Sequence, residues 1–307
     1  MRLLRPAVLL ILYVLLAVGI VRPDGIMLPD LSAWRAQRER ALINEPEQKA
    51  AIFYEKGREQ LIISPSYAGP SSNFAWVIPV PARPQVKILR GELFHELARI
   101  VEPAPPRSPS TKSAGRASDS ASGGGVTLLE RKTVGAYDVS VLSATDGNAL
   151  KKWLDRNRYY LPDSARRPIA AYVRQKWTFV ACRIKAPKQA PKQASGLQSG
   201  TLAPLHLTFA TPHPIYPMRL SSANPRPFKV LLYLIVPAAE VGSVKLTSWP
   251  GASPTEGDGV PVRLFARGEE YPTLNRLSSR FLRIFWKKTT LPPESCTRDY
   301  IWKTSPW

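Results

Sequence analysis

Histidine, cysteine and carboxylate side chains carry most acid–base, nucleophilic and metal chemistry in proteins, and this chain is poor in the first two. Its three histidines are His95, His206 and His213, and its two cysteines are Cys182 and Cys296. A metal site needs several such ligands at compatible spacing, yet no CxxC or HExxH pattern occurs. His206 and His213 bracket one strand-like run, too far apart to share a face, and are read as surface or core-edge groups. His95 and Glu96 are neighbours in a helical pattern, where successive side chains point about 100° apart. They are expected to be solvated and unpaired. Nucleophilic catalysis asks for a Ser or Cys held beside a base. There is no GxSxG elbow, and a Cys182–His206 pair would have no local support. Gly123 to Gly125 lacks the lysine and following helix of a phosphate-cradling loop. Among the carboxylates, Asp138, Asp155, Asp163 and Asp299 are scattered, and Asp163 after Pro162 suits a helix or turn cap. No catalytic, cofactor-binding or metal-ligating residue is assigned, and no cofactor is implied. A non-enzymatic role is favoured over an envelope hydrolase whose residues meet only in three dimensions.

Aromatic and sulfur side chains have structural readings too. Eight tryptophans could offer stacking platforms for sugars or bases. Trp76, Trp153 and Trp177 lie within apolar patterns and are placed in the core, whereas Trp302 and Trp307, in a basic tail, are the better candidates for an exposed contact. Cys182 shares strand parity with Val180 and Ile184, as a small buried hydrophobe would. The alternative is a Cys182–Cys296 disulfide, whose long loop would stabilise by about 4–5 kcal/mol in the chain-entropy model.

The partner class depends on charge and compartment. With 307 residues and 44% hydrophobic content the chain can bury a proper core, and 31 prolines favour short strands and extended loops over long helices. A formal net charge of +20 predicts attraction to polyanions. Arg2 and Arg5 precede an unbroken apolar run, Ala7 to Val21, which Arg22, Pro23 and Asp24 end. As a helix this run would extend roughly 22 Å, short of the ~30 Å hydrocarbon core. It has the layout of an export signal, with Ala17 and Gly19 as small residues for cleavage after Gly19. An uncleaved N-terminal anchor is the competing reading. Either way Arg2 and Arg5 keep the extreme N-terminus inside and send the body across the membrane. No cysteine follows the run, which excludes a lipidated lipoprotein. Outside the cytoplasm a basic protein meets anionic headgroups or acidic envelope polymers, not nucleic acid.

The rest of the chain reads as strands with a few helices. Phe74 to Pro81, FAWVIPVP, is apolar on both strand faces and stopped by Pro79 and Pro81, which marks a buried strand. QKAAIFY and QLIISPSY flank Gly57 as a hairpin. Leu31 to Leu42, with Trp34, Arg35, Arg38 and Arg40, is read as a solvated basic helix, the alternative being a segment that lies on membrane headgroups. GELFHELARIV, the segment holding Ala149, Leu150, Trp153 and Leu154 (capped by Thr145 or Asp146), and SARRPIAAYVRQKW are amphipathic helices. VTLLERKTVGAYDVSVLSA, WTFVACRI, LHLTFATPH, KVLLYLIVPA and SVKLTSW are strand-like. PHPIYPMRL is expected to be an extended crossing, and a helix or extended tail is expected over Leu274 to Trp286. Residues 102–125 and 186–201, the second carrying APKQ twice, are expected to be disordered insertions. The fold class is α+β, with mainly short antiparallel strands and two to four amphipathic helices. The expected domains are 1–23, a signal or anchor, and 24–307, one unit.

DGIMLPD, EPEQKAAIFY, GREQLIISPSY, FAWVIPVP, LFHEL, VGAYDVSVL, LKKWLDRNRYYLPD, YVRQKWTFVACRI, LTFATPHPIYPMRLSS, RFLRIF and TRDYIW together give the chain a further signature. On these segments it resembles the DUF2330 family of bacterial exported or envelope proteins, over nearly the whole length behind the apolar run. The resemblance implies one family unit and carries over no catalytic residue.

Overall fold

The computed structural model describes residues 25–69, 73–101, 126–135, 137–185, 198–239, 243–246, 260–263 and 270–305. The N-terminal run and the 102–125 insertion lie outside them. In chain order the strands are β1 (Ile26–Pro29), β2 (Glu47–Glu55), β3 (Arg58–Gly69), β4 (Asn73–Val80), β5 (Gln85–Ile88), β6 (Val126–Val134), β7 (Tyr137–Ala144) and β8 (Thr178–Lys185). They continue as β9 (Gln198–Thr201), β10 (Leu205–Ala210), β11 (Ile215–Tyr216), β12 (Phe228–Pro237), β13 (Ser243–Leu246), β14 (Val260–Arg263), β15 (Phe281–Leu291) and β16 (Tyr300–Ser305). The helices are α1 (Leu31–Gln37), α2 (Leu93–Val101), α3 (Gly147–Arg156), α4 (Asp163–Arg174) and α5 (Pro272–Leu277). The protein is an α+β fold, and its described strands form three sheets.

One sheet has the order β1-β4-β8-β7-β6, and the largest runs β14-β15-β12-β2-β3-β10-β5 with β9 also on β3. A small sheet orders β11-β16-β13. Pairing is antiparallel throughout these sheets apart from β2 with β12, which run parallel. The β2–β3 hairpin forms as its sequence predicts. Lys56 (φ 46°) and Gly57 (φ 76°) make a two-residue turn with both φ positive, and Glu55 pairs with Arg58.

Strand parity divides the core. Ala50, Ile52, Leu61 and Ile63 enter a cluster shared with the five-stranded sheet, α3 and α4, whereas Ala51, Phe53 and Ile62 face a smaller cluster with α2 and α5. At the centre of the larger cluster β4 is buried on both faces, with Phe74, Trp76 and Ile78 fully inaccessible. Pro79 lies inside β4 and does not end it. The register with β1 stops at Val77, so beyond that point β4 has one open side, where a residue without an N–H is tolerated.

Most of the strands are short, as expected, with β3 (12 residues), β15 (11) and β12 (10) the long ones, while other expectations shift. The Leu274 to Trp286 segment is neither one helix nor a tail, because α5 ends at Leu277 and β15 starts at Phe281 to take ten register positions on β12. Of the 186–201 insertion, residues 186–197 lie outside the described residues. Gln198–Thr201, by contrast, is strand: β3 extends past its β10 partners, and β9 pairs with Ser66 to Gly69. The supposed PHPIYPMRL crossing is the short β11 followed by a 3-10 turn, Arg219–Ala223. The basic segment after β1 is α1 and then a 3-10 turn over Arg38–Ala41, with the guanidinium-bearing residues exposed.

Candidate functional site

The residues assembled for chemistry do not converge. Cys182 is in β8 of the five-stranded sheet and His206 in β10 of the largest one, where the His206 Nε2 contacts Gln60 Oε1 at 3.1 Å and Thr208 Oγ1 at 3.3 Å. Burial, with a smaller contribution from Lys87, lowers the His206 pKa. Burial pushes the Cys182 thiol up, which keeps it protonated and inert, and both cysteines are buried thiols. His95 and His213 are exposed. Asp155 pairs with Lys151 at 2.5 Å, Asp163 with Arg166 at 2.8 Å, and Asp138 accepts from Thr133 at 3.4 Å. No cluster of three or more metal-ligating side chains occurs among the described residues.

Among the described residues four carboxylates are instead buried, Glu45, Glu59, Glu96 and Asp299, and the last three accept hydrogen bonds from backbone N–H groups. Glu96 is a correction to its expected solvent exposure: it is 4% exposed. It stands three residues after Leu93 and four before Ile100, on the inward stripe of α2, and its two oxygens accept from the Thr273 and Leu274 N–H groups at 2.8 Å each. It thus satisfies the first turn of α5, which has no side-chain cap of its own. Asp299, 3% exposed, accepts through Oδ1 from the Tyr172 hydroxyl and from the Met218 and Arg219 N–H groups at 3.0 and 3.1 Å. Its Oδ2 lies 3.4 Å from the Arg219 guanidinium, which also sits over the Tyr172 ring. One aspartate therefore joins α4, the 219–223 turn and the lead into β16.

Glu59 is the third. It has the parity of Leu61 and Ile63 in β3, so it points into the larger core, where Oε2 accepts from the Ile215 N–H at 2.8 Å. Oε1 has no hydrogen-bond partner among the described residues. Burial pushes this carboxyl well above the ordinary 4.5, against the lowering effect of the Ile215 bond. The native chain therefore holds a proton there that the unfolded chain releases. Stability from this group is fully present below the unfolded pKa and is lost as pH rises through the folded one. Glu59→Gln is expected to remove that decline, so the variant should gain on the parent as pH rises and match it in acid. Urea midpoints measured across mildly acid to mildly alkaline pH check this, and superimposable pH profiles would count against it.

A cleft of about 320 Å³ lies between the β2–β3 turn and the α5–β15 connection. Tyr54, Gln60 and Ser278 are among its lining side chains, with Lys56 and Arg58 beside Glu55. Glu59 does not line the cleft.

A different surface gathers aromatic and cationic groups. Trp34 of α1 stacks on Tyr160, which follows α3, with ring centroids 3.8 Å apart and planes 7° from parallel. The stack is fixed by backbone: Leu31 N–H donates to Arg158 O at 2.7 Å, and Tyr160 N–H to Pro29 O at 3.0 Å. Arg38, Lys151 and Arg166 are all close enough to Tyr160 to lower its pKa, although burial and Asp163 raise it overall. Among the tryptophans, Trp76 and Trp177 are buried and Trp153 is partly so, as expected. Trp302 is not: it is 6% exposed, because it pairs with Leu246 in the small sheet and joins the larger core. Trp307 lies outside the described residues. The Trp34–Tyr160 stack escaped sequence reading, since the two residues are far apart in the chain and only the pairing around Asp30 and Tyr159 joins them.

A family model described as an uncharacterized protein conserved in bacteria, DUF2330, matches residues 33–243. That is most of the chain, and the protein belongs to this family. No curated protein and no solved structure matches it.

Proposed function

We propose that this protein is an extracytoplasmic, non-enzymatic binding module that engages an anionic component of the cell envelope through its basic surface. One observation carries the reading. Among the described residues the carboxylates Glu45, Glu59, Glu96 and Asp299 are buried, whereas no lysine or arginine is. Folding thus withdraws negative groups from the surface and leaves the positive ones outside, so the solvent-facing surplus exceeds what a formal charge of +20 suggests. Export by the N-terminal run places that surface among lipid headgroups and acidic polymers and away from the genome. Among the described residues no helix is long and apolar enough to cross a membrane.

Binding of the full chain to vesicles containing phosphatidylglycerol, and to a soluble acidic polysaccharide, should weaken steeply as salt is raised from low to physiological strength and beyond. Indifference to both anions at low salt would overturn the reading. An alkaline phosphatase fusion behind Trp307 should be active, because that enzyme needs the oxidising side of the membrane to form its disulfides.

A further inference from the structure

The chain leaves its apolar N-terminal run at Val21 and enters the fold at Gly25, four residues that reach at most about 14 Å. Gly25 O accepts from the Asn224 side chain at 3.4 Å, and the neighbouring Ala223 O accepts from Ser164 in the first turn of α4 at 3.1 Å. Four residues further on, Pro29 bonds Tyr160. The border of the fold where the N-terminal segment arrives is therefore the one formed by β1, α1, the α3–α4 connection and the start of α4.

That border has the chemistry of a headgroup contact. Arg35, Arg38, Arg158 and Arg166 are exposed along it, around the half-buried Trp34–Tyr160 stack. Stacked Trp and Tyr rings are amphipathic and suit the depth between headgroups and acyl chains, and arginines beside them match lipid phosphates. Cations outnumber acids on these segments, and Asp30 is already engaged as the α1 cap, accepting from Ser32. A peptide or polysaccharide partner would not explain why this basic border coincides with the arrival of the apolar run.

We infer that the α1 and α3–α4 border lies against the anionic headgroups of the bilayer that holds the N-terminal run, docking the fold in one orientation. This rests on the envelope reading above and adds the surface and the lipid. The opposite end of the molecule supplies the control. β3 runs from the Lys56–Gly57 turn to Gly69, which packs beside Ile43 just beyond the Arg38–Ala41 turn, so about 35 Å of strand lies between Lys56 and that end.

The test uses the full chain held by its N-terminal run in nanodiscs of phosphatidylcholine, with or without phosphatidylglycerol. A fluorophore is placed through Lys152→Cys on α3 or through Lys56→Cys, the native thiols being buried and unreactive. Quenching by nitroxide-headgroup lipid should be severalfold stronger at position 152 than at 56, only with phosphatidylglycerol present, and should fall at high salt. Arg35→Glu with Arg38→Glu should abolish that difference, and Arg58→Glu with Arg280→Glu, exposed residues beside the Lys56–Gly57 turn and an equal change in net charge, should leave it intact. Equal quenching at both labels, or equal effects of the two double reversals, would overturn the inference. If the full chain still binds anions in a salt-sensitive way, the broader reading survives that failure; if it binds none, both fall.

Discussion

Asp299→Ala is expected to lower the unfolding free energy by about 3–5 kcal/mol, among the largest effects of any single side chain here. Three donors lose an acceptor at once: the Tyr172 hydroxyl and the Met218 N–H, both buried away from water, and the part-buried Arg219 N–H, which keeps the Tyr172 oxygen. Arg219 adds to the cost, although its partial exposure lets solvent offset some of the lost charge pairing. Asp299→Asn keeps an acceptor oxygen and should recover part of the loss. Denaturant unfolding should show the midpoint falling with an unchanged slope. Asp163→Ala, which removes an exposed partner of Arg166, should barely move it. If Asp299→Ala unfolded like Asp163→Ala, the tie between α4 and the C-terminal strand would not be a structural one.

Trp76→Ala should be comparably severe, at about 3–5 kcal/mol, by leaving a cavity in the most enclosed strand of the fold. Trp76 is fully inaccessible and pairs with Met27 on one side and Cys182 on the other. Gly25 shows how closely the indole is surrounded. A Cβ there would stand 2.8 Å from Trp76 Nε1 and 2.8 Å from Val77 O, at a φ of +67° that disfavours any side chain. Trp76→Phe retains most of the apolar volume and should cost clearly less. Thermal or denaturant midpoints of the two variants measure the difference, and equal losses would mean that volume at this position is not what matters.

Local chemistry announced much of this molecule. The Lys56–Gly57 turn, the β6–β7 pair, the Asp146 cap on α3 and the buried β4 follow from glycine placement, capping preference and alternation, all of which act over a few residues. The errors share a different cause. Glu96, expected in solvent, and Glu59, for which no position was read, occupy inward positions of their helix and strand, where a carboxylate is normally discounted as surface. Only the fold reveals that N–H groups of residues 273, 274 and 215, distant in the chain, are waiting for them. Trp302 was misplaced for a like reason: its flanking charges suggested exposure, and its pairing with β13 could not be read locally.

By itself the sequence determined the fold class, the family, the positive surplus and a leading apolar run, because composition, periodicity and motif spacing are properties of the chain in order. Tertiary structure decided which carboxylates go inside and which cations gather where that run arrives. Those outcomes depend on contacts between segments far apart in the chain, and a buried charge is tolerable only when the whole fold brings it donors.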